Sequence, residues 1–423
     1  MQLPCTHLEG DTILAGFVRE LTDRMSAIEY TAESLSFPWQ GNERLRELDA
    51  AEGNILAQDI LAPEDFPPFD RSTRDGYALI SEDSYGASQT NPAFLTIRGE
   101  IPMGAVPSFS LSEGECALIH TGGVLPPGAD AVVMIENVER TGKWLEIRKA
   151  VQRGENIVSR GEEFAAGAVL LEKGVRIDFK SSGVLAAAGI SKAPVHHIKV
   201  GIISTGDEIV PCETPSLNPG QFRDANAYIL SSLSRRHGYE PTYLGIVEDS
   251  KDSLEKALLG AMDESDVVLL SGGSSVSTRD HCSTLLESLE APGLLIRGIL
   301  MSPGKPTLIA GIKEKHKLVI GLPGHPFSCF LAAYTVFLPL AHAMSTGAIV
   351  SPWRSVVLPV SESVFGHSGI EEFLPCALRN GQAVPLPVKS SFAKALGKAD
   401  GLLRLSSSRE TVRPGEEVEV WLW

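Results

Sequence analysis

The strongest constraint on the fold is an alternation of strand-like and helix-like segments through residues 199–342. Short apolar runs such as KVGIIS, DVVLLS and KLVIGLPG each precede a longer segment with helical spacing. In SKDSLEKALLGAMDES the apolar residues fall on one helical face, and Ser250 is placed to cap the helix. Repeated strand–helix units predict a doubly wound parallel sheet, in which ligands bind at the carboxyl ends of the strands.

Both flanks of this region have a β-rich pattern. Short strand-like runs with frequent turns extend from about residue 63 to 150, and again after about residue 350. They predict an all-β domain before the α/β domain and a small β domain after it. Apolar residues at helical spacing over 12–34 predict a helix near the start of the chain.

Composition excludes several functional classes. The 423 residues include 53 acidic and 37 basic side chains, a net charge of −16, which argues against non-specific nucleic-acid binding. None of the six cysteines lies in CxxC spacing, so a structural zinc site or a redox motif is not expected. The longest apolar run, FSCFLAAYTVFLPLA, is too short to span a bilayer and predicts a core helix. No signal peptide is apparent, and we expect a cytoplasmic protein without a membrane partner.

Glycine- and hydroxyl-rich loops follow the predicted strands of the α/β region. VVLLSGGSSVSTRDHC leaves a buried strand for a loop of serines, glycines and one carboxylate, and STGDEIV, VEDS, MSPGKP and GLPGHPFS occupy similar positions. Glycines let a backbone approach a ligand, and a helix N-terminus favours an anion. The loops bring together four carboxylates that repel one another unless a cation lies among them: Asp207, Glu208, Asp249 and Asp280. The plainer alternatives are a glycine turn without a ligand and acids that only cap helices.

The β-rich region contributes two further candidates. FDRSTRDGYAL is charged and aromatic within a few residues, and HTGGVLPPGADAVVMIE forms a Gly/Pro loop between two strands. Asp75 and Thr121 lie in these stretches. Both residue types commonly form turns near glycine, and both can also face a ligand.

These segments, in this order, resemble the MoeA-type molybdopterin molybdenumtransferases, which are related to the E domain of gephyrin. The matching stretches run from about residue 63 to 330 and are STRDGYA, TGGVLPPGADAVVMIE, RGEEFAAG, STGDE, GQFRDANAYIL, SGGSSVSTRDH, SPGKP and GLPGHPFS. Several ordered motifs are far more specific than any one of them.

The resemblance implies a multi-domain α/β plus β protein with four domains. They are an elongated linking domain (1–62 with 153–195), a β-rich inserted domain (63–152), a molybdopterin-binding α/β domain (196–345) and a C-terminal β domain (346–423). It also implies insertion of molybdate into adenylylated molybdopterin with release of AMP, assisted by Mg²⁺. A homodimer with a site shared between subunits is implied as well, and the molybdopterin adenylyltransferase and recipient molybdoenzymes are implied as partners.

Site residues follow from the same resemblance, position by position. The expected catalytic residues are Asp75, Thr121, Glu208, Asp249, Asp280 and Lys305, and Glu208, Asp249 and Asp280 are the expected metal ligands. Residues expected to cradle the pterin or its phosphates are Thr205, Gly206, Asp207, Ser271, Gly272, Gly273, Ser274, Ser275, Pro303, Gly304, Pro323, Gly324, His325, Pro326 and Ser328.

The sequence departs from the commoner family pattern at a few positions. Ser302 stands where the family often has the first lysine of KPGKP, and His325 replaces the asparagine of GLPGNP. Ser274 and Ser277 replace a valine and a glycine of SGGVSVG. The missing lysine charge leaves open whether molybdate or tungstate is preferred.

Two other functions stay open beside the transferase. Molybdopterin adenylylation uses the same α/β fold, but the long β-rich flanks argue against it. A scaffold or molybdopterin-sensing role would not need Asp75, Glu208, Asp249, Asp280 and Lys305 together, so the sequence favours an enzyme.

Overall fold

A computed structural model of the chain describes residues 19–272, 281–387 and 394–423. The chain forms two compact units. The first contains the chain up to Arg46, Ala50–Ala57 and Pro194–Trp423, and the second contains Glu47–Asp49 and Gln58–Ala193. The four-domain boundaries implied by the resemblance stay a prediction, and each unit is described by itself.

A seven-stranded sheet organises the first unit. In spatial order its strands are Arg19–Thr22, Pro292–Ile299, Leu308–Ile312, Lys317–Leu322, Val267–Ser271, Lys199–Thr205 and Glu240–Val247. The last four strands in this order run parallel to one another, as the sequence predicts for a doubly wound fold. One strand departs from the parallel pattern, because Leu308–Ile312 pairs antiparallel with both of its neighbours. A hairpin needs only a short connection, whereas a parallel pair needs a crossover.

Helices cover both faces of this sheet. Their bounds are Arg24–Ser34, Asn226–Arg236, Lys251–Glu264, His281–Glu287, Pro326–Ala332 and Leu338–Thr346, with a π-helical stretch Ala333–Phe337 joining the last two. One face packs into a core that includes Ile28, Leu269, Phe327 and Phe337. The opposite face packs under Leu254, Leu258 and Leu285. Burial of these apolar surfaces is the main favourable term in folding.

Local signals in the sequence fix several helix ends. The Ser250 side chain accepts a hydrogen bond from the Ser253 nitrogen, which confirms the predicted cap. The N-terminal helix begins only at Arg24, where the Asp23 side chain accepts from the Ser26 nitrogen. The prediction of helix is therefore wrong for Arg19–Thr22, which is a strand paired with Pro292–Ile299, and residues 12–18 lie outside the described part. Pairing to an open sheet edge overrides the helical spacing there.

The apolar run near residue 330 is part of the core, as predicted, although the helix that contains it is longer than the run itself. Pro326–Thr346 is long and apolar enough to cross a membrane, but 94% of its apolar window is buried inside the protein. Gly347 ends it in the left-handed conformation at φ 78°, which glycine adopts without a Cβ clash.

A second sheet in the first unit is formed mainly by the C-terminal region. Its path is Met301–Ser302, Glu371–Arg379, Gly401–Leu405, Glu417–Leu422 and Arg354–Pro359, with Gln382–Pro385 beside Glu371–Arg379. A short ladder joins Val364–Phe365 to Thr411–Val412. The sheet therefore includes Met301–Ser302, two residues from the α/β region, which pair parallel with Glu371 and Glu372.

The second unit is β-rich, as the sequence predicts. Its six-stranded sheet has the order Ala131–Met134, Gly76–Leu79, Glu115–Ile119, Ala93–Ile101, Trp144–Ile147 and Val138–Thr141. Short ladders join Arg71–Ser72 to Ile157–Val158 and Ile60–Leu61 to Val169–Leu171. A helix before Gly189, Phe179–Ala187, is capped by the Asp178 side chain. The remaining strands among the described residues are Glu43–Glu47, Lys192–His196, Ile209–Val210 and Phe222–Arg223.

Candidate functional site

The strand order of the α/β sheet reverses between Lys199–Thr205 and Val267–Ser271. The chain passes from Lys199–Thr205 outward to Glu240–Val247 and then back across to Val267–Ser271. Such a switch point leaves a crevice at the carboxyl ends of the two strands, where open α/β sheets bind ligands. The Ser271 hydroxyl hydrogen-bonds the Ser204 hydroxyl at 3.3 Å across this point. The predicted cradle residues Thr205, Ser271 and Gly272 therefore lie together at the position the fold favours.

Gly272 is the point at which three strand-end loops touch. Its nitrogen donates to the Leu322 carbonyl at 3.1 Å, and its φ is +103°. A Cβ at this position would lie 2.2 Å from the Thr205 carbonyl oxygen. A Cβ on Gly324 would in turn lie 3.7 Å from the Gly272 Cα. Only glycine at position 272 allows this approach, and it brings the backbone of the three loops together beside the strand ends.

A polar pocket of about 490 Å³ opens beside this edge. It is lined by Gly206, Asp207, Ile209, Ile246, Val247, Glu248, Asp249 and Ser250. The Asp249 nitrogen donates to an oxygen of Asp207 at 3.3 Å. Because the following helix is capped by Ser250, helix capping does not account for Asp249. Asp207 and Asp249 therefore face the same pocket, as the grouping of strand-end acids predicts.

Two of the three predicted metal ligands, Glu208 and Asp249, lie within the described residues. Asp280 lies outside the described residues, as do Gly273, Ser274 and Ser275. Within the described ranges no three His, Cys, Asp or Glu residues are grouped as a metal site. Glu208 is exposed, and its carboxylate atoms lie close to Gly206. Mg²⁺ commonly takes one or two carboxylates together with substrate phosphates and water, so the acidic pocket fits such an ion without a complete protein cage.

Lys305 lies on a tight loop at the same edge of the sheet. Pro292–Ile299 runs parallel to the switch-point strands through two antiparallel pairings, so the loop that follows it leaves at the carboxyl edge. The Ile299 nitrogen donates to the Lys305 carbonyl at 2.9 Å, and the Thr307 hydroxyl donates to the Gly304 carbonyl at 2.7 Å. Lys305 is exposed, so its ammonium is available to an anion at the edge.

A buried ion cluster anchors the start of this loop. The Arg24 guanidinium donates to both carboxylate oxygens of Glu371, from Nε at 2.8 Å and from Nη2 at 3.2 Å. The Arg404 Nε donates to Glu371 at 2.6 Å. The Glu371 backbone nitrogen donates to the Leu300 carbonyl at 3.0 Å. The C-terminal sheet and the N-terminal helix thus hold the residues that lead into the Lys305 loop, a relationship that the sequence did not indicate.

Asp75 and Thr121 form a contact in the second unit. The Thr121 nitrogen and hydroxyl both donate to Oδ1 of Asp75, at 2.8 and 3.2 Å. These bonds hold the pKa of the Asp75 carboxyl below its usual value, led by the bond from the Thr121 backbone, with a further contribution from His120. Two residues 46 positions apart in the chain therefore act as one group, which neither turn motif alone predicts.

His120 is a polar neighbour that the sequence analysis missed. Its Nδ1 lies 3.8 Å from Asp75 Oδ1, and its Nε2 lies 3.2 Å from Glu100 Oε1. All three side chains are partly open to solvent. The signal was present in the sequence, since His120 directly precedes Thr121, but Glu100 comes from a different strand.

Asp224 and Asn226 are two further residues that the site predictions left out. Asp224 is 4% exposed, and its carboxylate accepts from the Ala227 nitrogen at 3.1 Å and from the Tyr243 hydroxyl at 2.8 Å. Burial and the Asp224 contact raise the pKa of Tyr243. The Asn226 amide donates to the Gly324 carbonyl at 2.8 Å. The run RDANAYIL holds both residues, and a polar pair at the start of a helix was the available signal.

The other predicted cradle residues lie in the loops already described. Pro326 begins a helix in which the Cys329 nitrogen donates to the His325 carbonyl at 2.8 Å. Ser328 is buried and His325 is exposed at the start of this helix. Pro323 is buried next to Gly324, and Pro303 precedes Gly304 in the Lys305 loop. Their roles in binding stay predictions.

Family models match nearly the whole chain in three parts. The MoeA N-terminal region (domain I and II) matches residues 20–189, a "Probable molybdopterin binding domain" matches 201–343, and the MoeA C-terminal region (domain IV) matches 357–423.

Curated relatives and a solved structure agree with these matches. A molybdopterin molybdenumtransferase of Bacillus subtilis is 35% identical over 403 residues, 91% of this chain and 91% of that protein. One from Nostoc sp. is 34% identical over 331 residues, 78% of this chain and 75% of its own length. The crystal structure of the molybdopterin biosynthesis MoeA protein from Pyrococcus horikoshii OT3 has a TM-score of 0.81 at 30% identity, covering 95% of this chain and 100% of that one. Sequence, fold and domain order agree, and this chain belongs to the MoeA family.

Proposed function

We propose that this protein is a molybdopterin molybdenumtransferase that inserts molybdate into adenylylated molybdopterin and releases AMP. The observation that carries the proposal is the convergence of three glycine loops at Gly272, at the switch point of the sheet, beside the Asp207 and Asp249 pocket. Bare backbone beside strand ends suits a planar ring or a phosphate, and the carboxylates suit a cation that binds phosphate. Membership in the MoeA family supports the same assignment.

In this proposal the described residues have different roles. Thr205, Ser271, Gly272 and Gly324 bind the pterin or its phosphates through hydroxyls and backbone groups. Lys305 neutralises anionic charge on phosphate or on molybdate, which enters as substrate. Asp75 and Thr121 present a fixed carboxylate to the reacting groups; an aspartate is charged at neutral pH, and the lowered pKa extends the charged form to more acidic pH.

Mg²⁺ belongs to the proposal as an assisting ion. Asp207 and Asp249 line one pocket, and Glu208 and Asp280 are the further candidate ligands. When bound, the ion supplies positive charge that stabilises negative charge developing on phosphate oxygens. A homodimer, a cytoplasmic location and contacts with the adenylyltransferase and recipient enzymes are further parts of the proposal, and they rest on the family resemblance.

The test uses the purified protein with adenylylated molybdopterin, Mg²⁺ and molybdate. We expect AMP release and cofactor formation that depend on molybdate, and a loss of about a hundredfold or more in the Glu208→Ala variant if this residue acts on the reacting groups. Glu264→Ala is the matched control, since Glu264 is exposed at the far end of the helix that Ser250 caps. Light scattering of the same sample measures the oligomeric state.

Two outcomes would redirect the assignment. A faster reaction with tungstate than with molybdate would make the protein a tungsten-inserting member of the family, and Ser302 would be the first position to restore to lysine. Tight binding of the nucleotide without AMP release for either oxyanion would contradict the transferase and leave a scaffold or sensing role.

A further inference from the structure

Asn226 presents an amide of fixed orientation at the carboxyl edge of the α/β sheet. It is the first residue of the helix Asn226–Arg236 and is 7% exposed. Its Nδ2 donates to the Gly324 carbonyl at 2.8 Å. Because a carbonyl oxygen only accepts hydrogen bonds, the reverse orientation would place two acceptors against each other. The amide nitrogen therefore faces Gly324, and the amide oxygen faces elsewhere.

The oxygen of this amide is buried without a hydrogen-bond partner in the part of the chain that the structure describes. The Thr205 hydroxyl oxygen is also buried without a hydrogen-bond partner among the described residues, and Thr205 is 2% exposed. Buried polar atoms nearly always have partners, so such exceptions point to a missing ligand or water. Two of them at one sheet edge, outside any helix interior, indicate a place where a ligand completes the bonding.

The residues that carry the two unsatisfied atoms, Thr205 and Asn226, are connected by a series of contacts through the glycine loops. A Cβ on Gly272 would lie 2.2 Å from the Thr205 carbonyl, and a Cβ on Gly324 would lie 3.7 Å from the Gly272 Cα. The Gly324 carbonyl then accepts from Asn226. Gly272 and Gly324, which carry no side chains, therefore lie along the contacts between the two unsatisfied atoms, and a flat ring can approach glycine backbone at close range.

The chemistry of an amide oxygen limits what its partner can be. It accepts a hydrogen bond and cannot donate one, so phosphate and molybdate, which present acceptor oxygens at neutral pH, do not suit it. The proposed substrate has suitable donors on its two heterocycles, the amino group and ring N–H of the pterin and the amino group of the adenine. Resting on the proposed function, we infer that Asn226 accepts a hydrogen bond from an amino-bearing heterocycle of the substrate and discriminates it from the oxo analogue.

Paired ligands test this without turnover. Pterin-6-carboxylate and lumazine-6-carboxylate differ by the amino group at the 2-position, and AMP and IMP differ by the amino group at the 6-position. Affinity for each is measured on the full-length protein with Mg²⁺, by fluorescence for the first pair and by calorimetry for the second. We expect the wild type to prefer the amino member of one pair by about tenfold to a hundredfold, because an oxo group leaves the buried acceptor facing another acceptor. The pair that shows the preference identifies the ring.

Two variants assign that preference to Asn226. Asn226→Leu keeps the volume and removes the acceptor, so the amino preference should disappear. Asn226→Asp keeps an acceptor oxygen, so a preference should remain even though the donor to Gly324 is lost. Asn218→Leu, at an exposed position, should match the wild type. If the Leu variant does not fold, Asn226→Ala serves as the second variant, because it also removes the acceptor and should also lose the amino preference.

Some results would overturn the inference. A wild type with no amino preference in either pair would do so, and so would an Asn226→Leu variant that keeps the wild-type ratio. If only a water molecule binds the Asn226 oxygen, the amino and oxo members of each pair should bind with equal affinity, and this result would also overturn the inference. Failure of the transferase proposal looks different, because AMP release would then be missing while the amino preference persists.

Discussion

Thr121 donates two hydrogen bonds to one oxygen of the Asp75 carboxylate, from its backbone nitrogen at 2.8 Å and from its hydroxyl at 3.2 Å. Both bonds favour the charged carboxylate, and they hold the pKa of Asp75 below its ordinary value. The carboxylate is nevertheless well exposed to solvent. A carboxylate that is held in place and left open suits an encounter with a ligand better than a role in the core.

The Asp75→Asn substitution should therefore separate activity from stability. If the charge acts on the reacting groups, kcat/KM should fall by about a hundredfold or more, while the melting temperature changes little because the side chain is exposed. AMP release and thermal unfolding of the same preparation provide the check. A parallel loss of both would assign Asp75 a structural role.

Removing only the hydroxyl gives a finer test of the same contact. In Thr121→Val the backbone bond stays and the hydroxyl bond is lost, so the pKa of Asp75 should rise toward its ordinary value and remain far below neutrality. Stability from the depressed pKa is present above the unfolded-state pKa and disappears as the pH falls through the folded one. Thr121→Val should thus be less stable than the wild type near pH 7, and the difference should disappear as the pH falls through the folded-state pKa of Asp75. NMR titration of Asp75 measures the shift, and Thr121→Ser should restore it.

Gly272→Ala should disrupt the strand-end loops. The new Cβ would lie 2.2 Å from the Thr205 carbonyl, at a backbone φ of +103°. Gly220→Ala is the matched control, because its φ of +91° is similar and no atom lies within 4 Å of the new Cβ. The control should lose only about 1–3 kcal/mol for backbone strain, and the Gly272 variant should lose clearly more. Urea unfolding of both proteins measures the difference, and equal losses would show that the loops can move apart.

Lys305→Ala should weaken binding of the anionic substrate. A hydrogen bond to a charged group that is lost at the loop should raise KM by about tenfold to a hundredfold. Lys313→Ala, at another exposed position nearby in the chain, should leave KM unchanged. The loss should shrink as salt concentration rises, since salt screens exposed charges. An effect independent of salt would argue against an electrostatic role.

Glu371→Gln should destabilise the first unit through the cluster that anchors the Lys305 loop. The Arg24 and Glu371 side chains are 5% and 11% exposed, and breaking a buried pair leaves an uncompensated charge that costs about 3–5 kcal/mol. Glu47→Gln is the control, since Glu47 pairs with Lys192 at 58% and 53% exposure and should lose less than about 1 kcal/mol. Denaturant unfolding measures both, and similar losses would contradict the anchoring role.

Much of the fold could be predicted from local patterns. The apolar period of Lys251–Glu264 and the position of Ser250 gave a helix with its correct cap, because these depend on neighbours within a few residues. Arg19–Thr22 shows where local patterns fail. Its segment had helical spacing, but pairing with Pro292–Ile299 made it a strand, and such a partner cannot be seen from the segment itself.

The candidate site divides in the same way. Glycine, serine and carboxylate at the strand ends were visible in the sequence, because the need for close backbone approach and for charge is written in the residue type. Four features were not visible in the sequence. They are the antiparallel pairing of Leu308–Ile312, the contact of Gly272 with Thr205, the two hydrogen bonds from Thr121 to Asp75 and the unsatisfied oxygen of Asn226. The sequence by itself therefore determined which chemistry the chain can offer and its membership in the MoeA family. Only the tertiary structure decided which of those groups meet, because distances between residues far apart in the chain are set by strand order and packing.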